Sequence, residues 1–171
     1  MQLRFLPARA HHARAIIGRL RERDRAELLA YYGAGADLLH LAEFSLAKST
    51  FAEVCLCEAD LLGIYGLVPL TVLGNTSQVW LMVSEAVDRY PRAFLRASRL
   101  ALERLYRRSS ALTNFVDLAD PTVGRWLEWL GARYLPNGKR EEGHLFGQFI
   151  LRSPQALAAL QATDGATCLL A

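Results

Sequence analysis

The sequence predicts an α/β fold, because segments typical of strands and of helices follow one another along its 171 residues. Residues 111–134 show this most clearly. Ala111–Asp117 is apolar or β-favouring and ends on a polar residue, as a strand leaving a buried sheet does. Asp120-Pro121 then supplies an N-cap and a proline at the first helical position, and Gly131 stands where a residue with positive φ ends a helix.

The first half of the chain predicts one strand, two helices and a β-hairpin. Apolar residues recur at helical spacing over residues 10–29, which predicts the first helix. We expect this helix to break near Asp24. Asp37 is the predicted N-cap of the second helix, and Ala59-Asp60 is the tight turn of the hairpin. The predicted elements are strand 2–6, helix 10–29, helix 37–48, and strands 51–58 and 61–72.

The second half predicts four further strands and two helices. Gly74-Asn75 turns the chain into a fourth strand, and Pro136-Asn137-Gly138 is the predicted turn between the last two strands. The Ala- and Leu-rich tail is compatible with one short helix. The predicted elements are strand 78–84, helix 91–108, strand 111–117, a helix between Pro121 and Gly131, strands 133–135 and 144–151, and tail 153–171.

Length and composition favour one domain over residues 1–152, followed by the tail. The longest apolar run, residues 61–73, is too short to cross a bilayer, and the N-terminus lacks a signal-peptide core. We therefore expect a cytoplasmic protein without a membrane partner. A net charge of +3 is mild, which disfavours a nucleic-acid partner. Cys55 and Cys57 form a lone C-x-C without the second ligand pair of a structural zinc site, so no metal is predicted.

The block at residues 111–134 resembles the C-terminal half of the GCN5-related N-acetyltransferase (GNAT) fold, in which a helix ending in x-x-G-F leads into the sixth strand. Gly131-Ala132 stands in the Gly-Phe place, and the order of elements over residues 2–151 matches that fold. The phrase NFVD…RWLEWLG is also similar to a family of tailed-phage proteins of uncertain function that share the fold. The resemblance implies a mixed, mostly antiparallel sheet of about seven strands flanked by helices on both faces.

The resemblance also implies that strands four and five splay apart and that acetyl-CoA binds between them. Pantetheine pairs with the exposed backbone of strand four, and the diphosphate lies on the N-terminus of the next helix, a general anion site. Family members have a Q/R-x-x-G-x-G/A loop there, whereas this chain has the glycine-free DRYPRAF, in which two arginines are available to bind phosphate. The residues assigned to cofactor binding are Met82, Val83, Ser84, Arg89, Arg92 and Asn114.

An amine must lose a proton to attack a thioester, so carboxylates near that cleft are the candidate bases. Glu85 follows the fourth strand, and Asp117 ends the fifth. Many GNAT enzymes place a tyrosine four residues before the glycine, where it protonates the departing thiolate. Leu127 stands at that position and cannot donate a proton, so the candidate substitutes are Tyr134 and Tyr65.

Two functions remain open from the sequence. The first is an acyl-CoA-dependent N-acyltransferase that acts on a small-molecule or protein amine. The second is a GNAT-shaped phage protein that has lost chemistry and acts by contact, in virion assembly or on a host protein. The retained order of strands around the cleft favours the first function, and the glycine-free loop favours the second.

Overall fold

The computed structural model describes residues 1–71, 74–141 and 143–167. Its strands are β1 (Leu3–Pro7), β2 (Phe51–Cys57), β3 (Asp60–Pro69), β4 (Thr76–Val83), β5 (Ala111–Asp117), β6 (Arg133–Glu141) and β7 (His144–Arg152). Its helices are α1 (Ala10–Ile17), α2 (Glu22–Tyr32), α3 (Leu38–Lys48), α4 (Ala86–Arg89), α5 (Pro91–Tyr106), α6 (Pro121–Trp129) and α7 (Pro154–Thr167).

The seven strands of the described residues form one mixed sheet in the order β1-β2-β3-β4-β5-β7-β6. Neighbouring strands are antiparallel except for β4 and β5, which run parallel. A parallel pair needs a crossover connection, and α5 supplies it. The predicted fold class, with β4 and β5 as parallel neighbours, is confirmed.

Helices cover both faces of the sheet. On one face α1 and α3 pack through Ile16 and Ala42, in a cluster that includes Ile64 of β3. On the other face α5 and α6 pack through Leu105 and Leu127. The apolar residues of α5 and α6 recur on one side of each helix, so each buries a single stripe against the sheet.

Three predicted helix signals are confirmed by hydrogen bonds. Asp37 caps α3 by accepting the N–H groups of the second and third residues after it, both at 3.0 Å. Asp120 caps α6 in the same way, accepting the Thr122 N–H at 2.8 Å. At the other end of α6, Gly131 has a φ of 94° and its N–H donates to the Glu128 carbonyl at 2.9 Å. This left-handed residue stops the helix and turns the chain into β6.

The predicted helix 10–29 is wrong as one element, and its break lies at residues 18–21 rather than at Asp24. Leu20 forms a backbone bridge with Ser84, and the Arg21 N–H donates to the Val83 carbonyl at 3.4 Å. The segment between α1 and α2 therefore pairs with the end of β4. This tertiary contact outweighs the local helical pattern.

The predicted turn Pro136-Asn137-Gly138 is also wrong, because β6 continues through it to Glu141. A register shift between Tyr134 and Gly138 absorbs the extra residues. Proline is tolerated because β6 is the last strand of the sheet, where one row of N–H groups has no partner strand. The end of predicted strand 61–72 and the end of the tail fall outside the described residues, and the division at residue 152 stays a prediction. Within the described chain, no helix is long and apolar enough to cross a membrane.

Candidate functional site

The strands β4 and β5 separate after three paired residues, 76–78 opposite 111–113. The Asn114 side chain lies where the next backbone hydrogen bond would form. Its Nδ2 donates to the Val79 carbonyl at 2.7 Å, and its Oδ1 accepts the Phe115 N–H at 2.8 Å. The carboxamide thus satisfies both backbone groups at the point of separation. Asn114, assigned to cofactor binding from the sequence, ends the ladder and opens the gap.

The open side of β4 presents the backbone of alternate residues to the gap. In an antiparallel pair, residues that are hydrogen-bonded to the partner strand alternate with residues that are not. The Ser84 N–H donates to the Leu62 carbonyl of β3 at 2.9 Å. Ser84 and Met82 therefore direct their backbone groups towards β3. Leu81 and Val83 direct theirs towards β5, where the Val83 carbonyl already accepts the Arg21 N–H. Of the three residues assigned to pantetheine from the sequence, only Val83 directs its backbone towards the gap. Leu81, which was not assigned, does so as well.

A cavity of about 540 Å³ passes through the sheet at this gap. Its walls come from α2 on one face and from α5 and α6 on the other, so it extends on both sides of the sheet. The α5–α6 wall is apolar and is formed by Phe94, Ala97, Ala101, Val123, Trp126 and Leu127. A concave, mostly apolar cavity of this size is typical of a small-molecule site.

The segment between β4 and α5 satisfies most of its own backbone amides. The N–H groups of Ala86, Val87, Asp88 and Tyr90 all donate within the segment or to its first residue, at 3.1 to 3.2 Å. Pro91 follows and has no N–H. A bound diphosphate would find few free donors here, in contrast with an open glycine-rich loop.

The two arginines assigned to phosphate binding differ in what they contact. The Arg89 guanidinium lies 3.6 Å from the Asp60 carboxylate, which also accepts the Tyr90 hydroxyl at 3.1 Å. Arg92 is exposed in the first turn of α5, and it makes no hydrogen bond or ion pair with a described residue. Among the described residues, Arg92 is thus a cation at this helix end whose side chain has no carboxylate partner.

Asp117 lies at the end of β5, on the α2 side of the gap, and is only 8% exposed. Its Oδ1 accepts the Ala119 N–H at 2.9 Å, and its Oδ2 lies 2.7 Å from Nδ1 of His144. The backbone N–H of Asp117 donates to Oε1 of Glu27 at 2.9 Å. Asp117 thus has both carboxylate oxygens engaged, and it holds a second carboxylate through its amide.

Glu27 is a site residue that the sequence reasoning missed. It belongs to α2 and lines the cavity. Burial raises its pKa; the Asp117 N–H opposes this shift, whereas the neighbouring carboxylates Asp24, Asp117 and Asp120 add to it. Asp24 and Glu27 are three residues apart and so share one side of a helix, a signal present in the sequence. The sequence did not reveal that this side of α2 faces the gap.

Of the remaining predicted proton-transfer residues, Glu85 and Tyr134 lie away from the gap, whereas the hydroxyl of Tyr65 is occupied. Glu85 is exposed after β4, and its N–H donates to the Arg19 carbonyl at 2.9 Å. Tyr134 lies against α6, and its buried hydroxyl has no hydrogen-bond partner among the described residues. Tyr65 does line the cavity, but its hydroxyl donates to Glu53 at 2.7 Å, and burial together with that bond raises its pKa.

No protein-family model and no curated protein matches the chain. Solved structures do match. Spermidine N-acetyltransferase from Vibrio cholerae in complex with CoA and spermine has a TM-score of 0.68 and 12% identity, covering 91% of this chain and 98% of its own. A proposed acetyltransferase has a TM-score of 0.67 and 18% identity, covering 96% of this chain and 93% of its own. A proposed phosphinothricin N-acetyltransferase has a TM-score of 0.66 and 12% identity, covering 88% and 98%.

These similarities show that the chain has the GNAT fold, as the sequence predicted. They extend over nearly the whole of each protein, so the likeness is not confined to one motif. At identities of 12–18%, what is shared is the arrangement of strands and helices around the gap. The likeness is therefore one of fold, and function depends on the residues that this chain places around the gap.

Proposed function

We propose that the protein is an acyl-CoA-dependent N-acyltransferase, which moves an acetyl group from acetyl-CoA to an amine by direct attack. The observation that carries the proposal is the gap between β4 and β5, where backbone groups of Leu81 and Val83 face a cavity lined from both faces of the sheet. A donor on the α5 side and an acceptor on the α2 side would meet in the gap. Catalysis then rests mainly on positioning the two reactants.

The residues of the gap fit the pantetheine end of acetyl-CoA. The backbone of Leu81 and the N–H of Val83 offer a strand edge, which Met82 and Ser84 hold in place through their backbone bonds to β3. The apolar wall of α5 and α6 offers a surface for the arm. Asn114 holds the two strands at the narrow end of the gap. When bound, acetyl-CoA supplies the acyl group in activated form, as a thioester.

The diphosphate end has fewer partners. Arg92 and the unpaired amides of the first α5 turn support its binding, because a helix N-terminus attracts anions. Arg89 contributes only after giving up its contact with Asp60. We therefore propose weak cofactor binding with Arg92 as the main phosphate ligand.

Three side chains stay as candidates for proton transfer. Of these three residues predicted from the sequence, Asp117 lies nearest the α2-side opening, where its carboxylate is paired with His144. Glu85 is in contact with solvent, so its proposed role is exchange of protons with water. Tyr134 is proposed as the donor to the departing thiolate, a role that needs its hydroxyl to leave the contact with α6.

The acceptor is proposed to be a cationic amine, either a small molecule or a protein side chain. The carboxylates near the α2-side opening attract an ammonium group. They are Asp24, Glu27, Asp117 and Asp120. The structural similarity to a spermidine N-acetyltransferase, solved with CoA and spermine, supports including polyamines among the amines to be tested.

The second candidate function is a contact protein of phage origin that acts in the host cytoplasm, on a phage or a host protein. The observation that favours it concerns the segment between β4 and α5, because most backbone amides of this segment donate within it and are not available to a phosphate. Leu127 adds to this, since it is 3% exposed in the core at the place of the family's proton donor.

An acetyl-transfer assay separates the two functions. Thiol release from acetyl-CoA is followed with a panel of polyamines, amino acids and peptides, each against a reaction without protein. An acyltransferase releases thiol in proportion to protein with at least one amine, and mass spectrometry finds the acetylated amine. A protein that acts by contact releases none with any member of the panel.

A further inference from the structure

Glu27 differs from the other carboxylates at the α2-side opening in what its oxygens contact. Its Oε1 accepts the Asp117 N–H at 2.9 Å, while Oε2 has no hydrogen-bond partner among the described residues. Glu27 also lines the cavity that passes through the gap. One oxygen is thus fixed by the backbone of β5, and the other is available to a ligand.

The neighbouring carboxylates are each paired with a basic side chain. Arg21 binds Asp24 with two hydrogen bonds at 2.6 and 2.9 Å. The charged groups packed around Glu27 are Asp24 on α2, Asp117 on β5 and Asp120 before α6, which are paired with Arg21, His144 and Arg23 respectively. Glu27 itself has no ion pair with a described residue. Among these described carboxylates, it is therefore the one that can take up a cation without first giving up a basic partner.

We propose that Glu27 binds the ammonium group of the acceptor and takes its proton, and that Asp117 acts as a positioning residue by holding Glu27 through its backbone N–H. This inference rests on the proposed N-acyltransferase function and names its base. It assigns the proton to Oε2, the oxygen left open by the bond between Oε1 and Asp117. His144 in turn keeps the Asp117 side chain in place.

The proposed step balances in protons and bonds. The acceptor ammonium gives one proton to the Glu27 carboxylate and becomes a neutral amine. The amine nitrogen then forms a bond to the acyl carbon while the carbon–sulfur bond breaks. The second proton of the nitrogen passes to the sulfur, which leaves as a thiol, and Glu27 returns its own proton to water.

The surroundings of Glu27 suit this exchange. Burial raises the pKa of Glu27 above its ordinary value of 4.5, which brings the carboxylate closer to the pH at which it has to accept and release a proton. A carboxyl with a raised folded-state pKa costs stability once it is ionised, and this cost grows as the pH rises from 4.5 through the folded-state pKa. Glu27→Gln removes that charge while its amide oxygen can still accept the Asp117 N–H.

The test compares three variants in the acetyl-transfer assay, together with thermal melts and titration of acetyl-CoA. Glu27→Gln is expected to lower kcat/KM by roughly 10²–10⁴, with donor binding unchanged and Tm equal or higher. Asp117→Asn keeps the backbone N–H, so its loss is expected to be smaller. Glu22→Gln lies on the same helix, 92% exposed, and is the matched control, expected to behave as wild type.

The pH profile separates a base from a residue that only shapes the site. The activity of Glu27→Gln should rise with pH towards that of the wild type, because alkaline pH supplies the neutral amine directly. If Glu27→Gln and wild type have equal kcat/KM at every pH, Glu27 is not the base, but the proposed N-acyltransferase function still stands. A loss that is the same at every pH, or that follows a fall in Tm, overturns its role as a base. Absence of transfer by the wild type overturns the proposed function, and this inference with it.

Discussion

At the scale of single residues, a buried carboxylate with three hydrogen bonds lies outside the gap. Glu53 of β2 is 6% exposed, and it accepts the Tyr65 hydroxyl at 2.7 Å and Nε of Arg104 at 2.7 Å. A second Arg104 nitrogen, Nη2, completes a two-point contact with the same carboxylate. Burial alone would raise the pKa of Glu53, but the hydrogen bonds from Arg104 and Tyr65 hold it below its ordinary value. This contact ties β2 and β3 to α5.

Glu53→Gln should lower the free energy of unfolding by about 2 kcal/mol, less than the roughly 3–5 kcal/mol of a fully buried pair, because Arg104 is partly in water. A carboxylate whose pKa is lowered by folding stabilises the folded state. This stabilisation is fully present above the ordinary pKa of 4.5 and is lost as pH falls through the lowered pKa. The difference in the free energy of unfolding between Glu53→Gln and wild type should therefore become smaller at acid pH. Urea unfolding at several pH values measures it, with Glu103→Gln, an exposed residue of α5, as the control. Equal stability of wild type and Glu53→Gln at pH 7 would contradict the account.

Residues with a local role were predictable from the sequence, whereas residues defined by distant neighbours were not. Asp120 and Gly131 act on amides within a few positions, and a capping residue or a left-handed glycine can be recognised from its neighbours alone. Glu27 lies 90 positions from the Asp117 amide that holds it. Its role depends on where α2 crosses the sheet, which no local pattern encodes.

At the scale of elements, the segment between β4 and α5 determines how the donor is held. Most of its amides donate within the segment itself, and the Arg92 side chain beside it has no partner among the described residues. The contact with phosphate should therefore depend on one side chain, while the pantetheine arm is held by the edge of β4 and the apolar wall.

Arg92→Ala should weaken the binding of CoA by roughly tenfold, about 1.4 kcal/mol, and should leave acetyl-pantetheine, which has no diphosphate, unaffected as a donor. Comparing kcat/KM for the two donors in both proteins measures this difference. Arg107→Ala, at the far end of the same helix region, is the matched control and should change neither value. An equal loss with both donors would show that Arg92 acts on the fold or the acceptor rather than on phosphate.

Element types and their order were predicted well, and the errors have physical causes. The segment at residues 18–21 pairs with the end of β4, and β6 runs through a proline because it is an edge strand. Both errors arise from tertiary contacts that override local preference. The ends of β5, by contrast, were predicted correctly, since a buried strand ending on a polar residue is a local signal.

At the scale of the whole molecule, the sheet order creates the gap. A parallel pair within an otherwise antiparallel sheet, with α5 as the crossover, brings β4 and β5 together at one end, and Asn114 ends their pairing after three residues. The proposed donor and acceptor sites lie around that opening: an apolar wall on one face, carboxylates on the other, and a strand edge between them.

The central claim, that this gap binds an acyl-CoA, is tested most directly by isothermal titration of acetyl-CoA into the purified protein. The account predicts weak binding of one molecule per chain, with an affinity that falls as salt is raised because the phosphate contact relies on an exposed arginine. No heat of binding at millimolar acetyl-CoA would contradict the account and favour a protein that acts by contact.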